Sequence, residues 1–290
     1  MDTLGNGVCG CKRKCLESED RRKNMDHTFV LCAYKESPYI EACVRSLKEQ
    51  SVPSALVLAT STPSPYLEQI CEKYGLTYCV REGGSGIAPD WNYALSCAST
   101  SYVTIAHQDD LYEKDYTKLL LQKMKKHPEC LIGFCNYYEC KNETFVRGIN
   151  LKIKDLLLLP LRIFGGNSRF ARRFALRFGN AICCPSVMYH TGRIAAFLEE
   201  QGRGELFVPH FRSNLDWETW EQLSKEKGGF CYLPRPLMAH RIHEGSETTA
   251  TIQDHQRKGE DYEMFLKFWP KTIAKVLCGW YQKSEEGNQV

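Results

Sequence analysis

Two adjacent carboxylates, Asp109 and Asp110, follow a short apolar run from Tyr102 to Ala106, with His107 and Gln108 between. The run is brief, rich in β-branched residues and bounded by polar ones, so it reads as a buried strand. In α/β sheets, ligands collect beyond the carboxyl ends of strands, which assigns the chemistry here to His107, Gln108, Asp109 and Asp110. Neighbouring carboxylates repel each other unless something positive is near. A divalent cation, magnesium or manganese, suits these hard oxygen ligands and would in turn hold substrate phosphates. The equal alternative is that Asp109 or Asp110 caps a helix expected to begin near Glu113.

Two later clusters carry further chemistry. Between Phe211 and Trp220, Asp216 falls at or near a helix start beside Trp217 and Trp220, whose indoles have the faces to stack on a sugar ring. Core tryptophans and a capping Asp are the competing reading. From Leu237 to Ser246 come His240, Arg241 and His243, followed by a turn. Arg241 suits a phosphate, and either histidine suits a metal or a phosphate oxygen.

The elements that must position these groups are legible in the pattern. Thr28 to Ala33 reads as a strand. After Tyr34, Lys35 and Glu36, a helix is expected with Ser37 as N-cap, Pro38 at its first position, and Ile40, Cys43, Val44 and Leu47 inward. Ala55 to Ala59 is a second strand, and the helix after it carries Leu67, Ile70, Cys71 and Tyr74 and ends at Gly75. Thr77 to Val80 is a third strand. The loop Arg81 to Gly86 either lets a phosphate or sugar approach the backbone closely or is an ordinary turn. A short helix through Trp91, Ala94 and Leu95 leads to the strand before Asp109, and Lys114 to His127 reads as a helix. Strands alternating with helices at this spacing predict an α/β fold with a mainly parallel central sheet flanked by helices.

Composition narrows the class. The chain has 290 residues and a formal net charge of +3, too little to point to nucleic acid. Of its 15 cysteines, Cys32, Cys43, Cys71, Cys79, Cys97, Cys183, Cys184 and Cys231 sit in apolar runs as small hydrophobes, which predicts reduced thiols and a cytoplasmic location. Met1 to Asn24, with Cys9, Cys11 and Cys15 among basic residues, reads as a disordered tail without the apolar core of a signal peptide. Leu151 to Phe178 holds Lys152, Lys154, Arg162, Arg169, Arg172, Arg173 and Arg177 against a single acid, Asp155. Such a segment either contacts an anionic membrane surface peripherally or, as favoured here, forms a helical insertion over the active site with a solvated basic face. The expected division is a tail over 1–25, a main domain over 26–250 that includes the insertion at 151–178, and C-terminal helices over 251–290. No stretch is long and apolar enough to span a bilayer.

Together these pieces resemble a family 2 glycosyltransferase of the Rossmann-like GT-A, or nucleotide-diphospho-sugar transferase, fold, from about Thr28 to Ser246. Phe29 to Gln50 looks like the family's first strand and helix. Ala106 to Asp110 resembles its metal-binding D-x-D stretch, Leu215-Asp216 its acidic pair ending in the catalytic base, and His240 to Ser246 its late R-x-H-x-x-S segment. The resemblance implies an inverting transfer from a nucleotide-sugar donor, uridine-linked, to the hydroxyl of a saccharide, lipid-linked or protein acceptor. It implies Asp216 as base and a manganese or magnesium ion held by Asp109, Asp110 and His243. Donor binding would fall to Ala33, Tyr34, Glu36, Thr60, Gly84, Asn92, His107, Gln108 and Arg241, and acceptor binding to Trp217 and Trp220. The chain departs from the family's pattern in three places. Ala59 to Thr62 lacks the Asp that ends the second strand, His107 replaces the first D-x-D acid, and Leu215 replaces the first acid of the pair. The missing acids at Thr60 and His107 keep one rival open, a non-catalytic nucleotide-sugar-binding module; a second, which the βα order and the Asp216 segment disfavour, is a metal-dependent phosphohydrolase built on His107, Asp109, Asp110, His240 and His243.

Overall fold

The fold is described from a computed structural model, in residues 13–14, 25–243 and 256–286. The Cys-rich tail, apart from residues 13–14, and Glu244, Gly245 and Ser246 of the late segment lie outside the described residues.

The order of elements follows the apolar periodicity. Strand β1 (Arg13–Lys14) precedes β2 (His27–Ala33), helix α1 (Ile40–Lys48), β3 (Ala55–Thr60), α2 (Pro65–Tyr74), β4 (Thr77–Val80), α3 (Ile87–Ser96) and β5 (Tyr102–His107). Next come β6 (Leu111–Tyr112), α4 (Tyr116–Lys126), β7 (Cys130–Lys141), β8 (Thr144–Val146), α5 (Ile149–Ile163) and α6 (Arg169–Leu176). The chain then forms β9 (Val187–His190), α7 (Thr191–Glu200), α8 (Leu215–Lys225), β10 (Gly229–Arg241), α9 (Gln256–Leu266) and α10 (Lys271–Glu286). The strands form one sheet in the order β1-β4-β3-β2-β5-β9-β7-β10-β6, with β8 paired to β7. β4, β3, β2 and β5 are mutually parallel, and so are β7 and β10, while β9 runs antiparallel between β5 and β7. All six of those parallel strands therefore point the same way, and the mainly parallel α/β sheet expected from the sequence is what forms.

Register brings the carboxyl ends level: Ala33 pairs with Thr60, Thr60 with Val80, and Cys32 with His107. One face of the sheet packs Phe29, Leu31 and Leu58 on α1 and α2. The other packs Val30, Val57 and Ile105 against a core that includes Trp217, Trp220, Phe265 and Ala274, so α9 and α10 complete the same core. The described cysteines are free thiols, buried or half-buried. No helix among the described residues is long and apolar enough to cross a membrane.

Two local differences from the sequence reading matter for the site. The first helix begins at Ile40 rather than Pro38, because Ser37, Pro38 and Tyr39 form a turn in which Tyr39 N–H donates to Ser37 Oγ at 3.3 Å. The helix after the carboxylate pair begins at Tyr116, not near Glu113, so Asp109 and Asp110 cap nothing.

The segment after β8 is docked rather than splayed. Gly166, in the turn between α5 and α6, accepts a bond from Phe230 N–H at 3.2 Å, and a Cβ there would lie 1.7 Å from the Phe230 carbonyl oxygen. The seven basic residues mostly turn inward. Lys154 donates to Tyr137 Oη at 2.9 Å, Arg172 to the carbonyls of Glu226 and Gly228, and Arg173 to Glu221 at 2.8 Å, while Arg177 lies 3.7 Å from the Trp269 ring centroid. The solvated basic face expected of this segment is therefore corrected: its outward side is largely apolar.

At the amino end of β2, buried His27 bonds Ser54 Oγ at 2.8 Å and Thr104 Oγ1 at 3.0 Å. Burial pushes its imidazole down from 6.5 to about 3. Below pH 6.5 the unfolded chain takes up a proton that the folded chain refuses until about pH 3, so His27's contribution is whole above 6.5 and is lost as pH falls through that window. The stability advantage of wild type over His27→Gln, measured by urea unfolding, is expected to shrink by about 2 kcal/mol between pH 7 and pH 5.

Candidate active site

Each strand that ends at the common edge delivers a polar loop, and bonds between the loops set the shape of the cleft. Gln108, just past β5, clamps the backbone of Tyr34, accepting its N–H at 3.2 Å and donating to its carbonyl at 3.0 Å. Lys35 takes up a left-handed conformation (φ 57°) so that its N–H reaches Thr62 Oγ1 at 2.6 Å. Thr60 spends its hydroxyl on Thr62, within its own loop. Ala33 is buried and offers only backbone, while Tyr34 and Glu36 are exposed at the rim.

Asp90, which the sequence reading passed over, organises the glycine loop. Its carboxylate accepts from Arg81 Nε at 2.8 Å, Ser61 Oγ at 3.0 Å and Gly86 N–H at 3.2 Å, and Arg81 also reaches the Gly84 carbonyl. A carboxylate therefore does stand beside the end of β3, supplied from α3 rather than from β3 itself. Asn92, expected to bind donor, instead clamps Phe207: Nδ2 donates to its carbonyl at 2.7 Å and Oδ1 accepts its N–H at 2.9 Å. That correction follows from geometry, since one turn along α3 from the loop the amide faces the neighbouring chain segment.

The carboxylate pair divides its work. Asp110 is fully buried, and its Oδ1 accepts from His240 Nδ1 and Arg241 N–H, both at 3.0 Å. Burial opposes charge on His240, yet Asp110 and then Asp109 outweigh it and push the imidazole up to about 9. That shift favours the charged form of His240, and Oδ1 of Asp110 is a strut joining β5 to β10. Asp109 is only half-buried and meets His243 Nε2 at 2.9 Å through Oδ2. Arg241 is buried with Nε on the Asp109 carbonyl at 3.0 Å, its guanidinium 4.4 Å from the Tyr39 ring centroid and one arm on Glu143. Tyr39 also packs on His243 at 4.9 Å. His107 stacks on Trp91 at 5.4 Å, and among the described residues its Nε2 and Asp110 Oδ2 are buried without a hydrogen-bond partner.

Asp216 stands on the first turn of α8. Its carboxylate accepts from Asn180 Nδ2 and Trp217 N–H, both at 2.7 Å. Burial raises its affinity for a proton, against the opposing pull of Asn180, the Trp217 amide and the Lys154 charge. Cys183 senses the convergence: its thiol is pushed well up by burial and by Asp110, eased by Lys154, and pushed up again by Asp216. Lys154 and Asn180 escaped the sequence reading as site residues. The first stands in a basic run, and the second carries no signal of its own in the sequence.

Among the described residues no group of three or more His, Cys, Asp or Glu side chains converges as a metal cage. Asp109 and His243 nevertheless fit a cation that takes one or two protein ligands and completes its shell with substrate phosphates and water. Trp217 and Trp220 do not reach the cleft. Both are wholly buried, and Trp217 Nε1 donates to the Leu176 carbonyl at 3.0 Å, so the expected acceptor platform is corrected to core.

Fold and site together define a GT-A glycosyltransferase. The profile described as glycosyl transferase family 2 matches residues 28–190, more than half of the chain, and the chain belongs to that family. Among solved structures, Staphylococcus aureus TarS 1–349 in complex with UDP-GlcNAc is similar at 16% identity and TM-score 0.58, covering 88% of this chain and 70% of that one. The same TarS fragment with UDP gives TM-score 0.56 at 16% identity, with the same coverage. The mannosyltransferase PcManGT from Pyrobaculum calidifontis, in complex with GDP-Man and Mn2+, gives 15% identity and TM-score 0.58, covering 87% of this chain and 69% of that one. No curated protein sequence matches the chain.

Truncating a large buried aromatic costs about 3–5 kcal/mol. Trp217→Ala is therefore expected to lower the urea-unfolding free energy by that amount. A contact with acceptor would instead raise the acceptor KM at unchanged stability.

Proposed function

We propose that the protein transfers a sugar from a nucleotide-diphosphate donor, uridine-linked, to an acceptor hydroxyl with inversion at the anomeric carbon. The observation that carries this reading is Asp216, a buried carboxylate with raised proton affinity that Asn180 and the Trp217 amide hold at the cleft. A base of this kind accepts the acceptor hydroxyl's proton while the oxygen attacks the anomeric carbon, and the nucleoside diphosphate leaves from the opposite face. Inversion follows from a single displacement. The TarS complexes with UDP-GlcNAc and UDP support a uridine donor on this fold.

Asp109 and His243 are the residues that would hold a divalent cation, and such an ion supplies charge to the departing diphosphate. Around them, Arg241 carries a fixed positive charge, and exchange of its exposed partner Glu143 for a phosphate oxygen is open to it. His240, kept as an imidazolium by Asp110, adds charge of the same sign. His107 Nε2 and the Gly83–Gly86 backbone, set by Asp90 and Arg81, line the donor side. Tyr34, Glu36 and Thr60 border the nucleotide end at the rim.

A second reading, a nucleotide-sugar-binding module without turnover, is favoured by one observation: Asp110 is committed to His240 and Arg241. Turnover of a panel of UDP- and GDP-sugars separates the two. Asp216→Asn is expected to lower transfer about 10²–10⁴-fold while calorimetry still detects UDP binding, and wild-type transfer is expected to fall on the acid side as Asp216 takes up its proton. Full activity of Asp216→Asn, or binding without turnover in wild type, removes the base from the mechanism. In a readout independent of turnover, electron paramagnetic resonance titration of Mn2+ with UDP present, Asp109→Asn is expected to weaken Mn2+ binding roughly tenfold or more. Unchanged binding would remove Asp109 from the metal's coordination.

A further inference from the structure

The helix α5 has two apolar sides. Leu151, Leu158 and Leu161 are buried against the core, as an ordinary amphipathic helix requires. The opposite side should be polar. Instead Ile149, Ile153, Leu156 and Ile163 recur at steps of three, four and seven along it, and they are 74%, 49%, 65% and 64% exposed. Phe164 and Phe170, 61% exposed each and 6.1 Å apart in an edge-to-face pair, extend the ridge past the helix end. Phe145 and Val146, exposed on the hairpin strand β8, extend it before the helix start. A helix that is apolar all round is normally buried, and scattered single hydrophobes need no explanation, whereas a continuous ridge does.

Charge says what covers it. Asp155, the only acid between residues 149 and 178, is turned away and paired with Arg147 at 2.8 Å and with Asn136 at 2.8 Å. Lys154, Arg172, Arg173 and Arg177 are engaged inside the fold. Lys152, Arg162 and Arg169 remain exposed on the segment. Apolar side chains flanked by exposed cations and free of acids match a bilayer whose headgroups are anionic and whose acyl region begins just beneath them. We infer that the ridge of Ile149, Ile153, Leu156, Ile163, Phe164 and Phe170 is a docking surface for an anionic lipid bilayer, entered by the apolar side chains and held by Lys152, Arg162 and Arg169.

The ridge is held in shape without lipid, since Gly166 fixes the end of α5 against the Phe230 backbone. On the other side of the same helix Lys154 donates to Tyr137 Oη at 2.9 Å, and its charge acts on both His240 and Asp216.

The test is flotation of the full chain with vesicles of phosphatidylcholine alone and with phosphatidylcholine containing about one-third phosphatidylglycerol, at low and physiological salt, without donor or acceptor. Wild type is expected to float with the anionic vesicles, less at high salt, and to stay behind with the neutral ones. Lys152→Gln, Arg162→Gln and Arg169→Gln together are expected to weaken partitioning about a hundredfold, at about fivefold per charge. Leu156→Ser with Phe164→Ser is expected to weaken it at least tenfold with the circular dichroism spectrum and unfolding midpoint retained. No flotation with anionic vesicles, or flotation unchanged in both sets of variants, overturns the inference. So does light scattering that finds wild type dimeric and the Leu156→Ser, Phe164→Ser variant monomeric, because the ridge would then be covered by a second copy. Vesicle binding is read without substrate, so it stands or falls separately from the transferase reading.

Discussion

A carboxylate with no exposure to solvent has to be compensated or it will not stay charged, and Asp110 is such a group. Its compensation comes from His240 and the Arg241 amide, more than a hundred residues later in the chain. That pair of bonds fastens the end of β10 to the end of β5 and makes the late histidine segment part of the same site as the early strands. The arrangement of Asp109, Arg241 and His243 follows from it. His243 is delivered to Asp109 because Arg241 is pinned first, and Tyr39 is sandwiched against both Arg241 and His243.

The opposite wall rests on a different device. Asp216 sits at the start of α8, where free amide groups favour an anion, and Asn180 holds it from the loop before β9. Burial drives its proton affinity up while these bonds restrain it. The charges of Asp110, Lys154 and Asp216, from three separate elements, thus all act on the Cys183 thiol.

The sheet was legible in the sequence because β2 to β5 are short β-branched runs separated by capped helices, and their boundaries fell within a residue or two. Asp109 and Asp216 stand out in the sequence because each follows a recognisable strand or helix start, and the structure places them there. The division of roles between Asp109 and Asp110 was not, since it depends on which oxygen faces β10, a partner distant in sequence. Asn92, Trp217 and Trp220 misled for a related reason: amides and indoles have the same composition whether they face a ligand or a neighbouring backbone. Asp90 was missed because an Asp in the first turn of a helix looks like helix-end electrostatics. The basic run was misread in its orientation, because a count of lysines and arginines says nothing of which ones find carbonyls, carboxylates or rings inside.

Helix α5 answers to two environments at once. One side must fit Leu151, Leu158 and Lys154 into the interior, and the other keeps its isoleucines and Leu156 in the open. Hardly a position on it is left neutral to substitution. The usual remedy for a sticky surface, replacing exposed aliphatics with glutamate, would add negative charge to the same fifteen-residue helix whose Lys154 is engaged inside, so the outer side cannot be recharged without regard to the inner one.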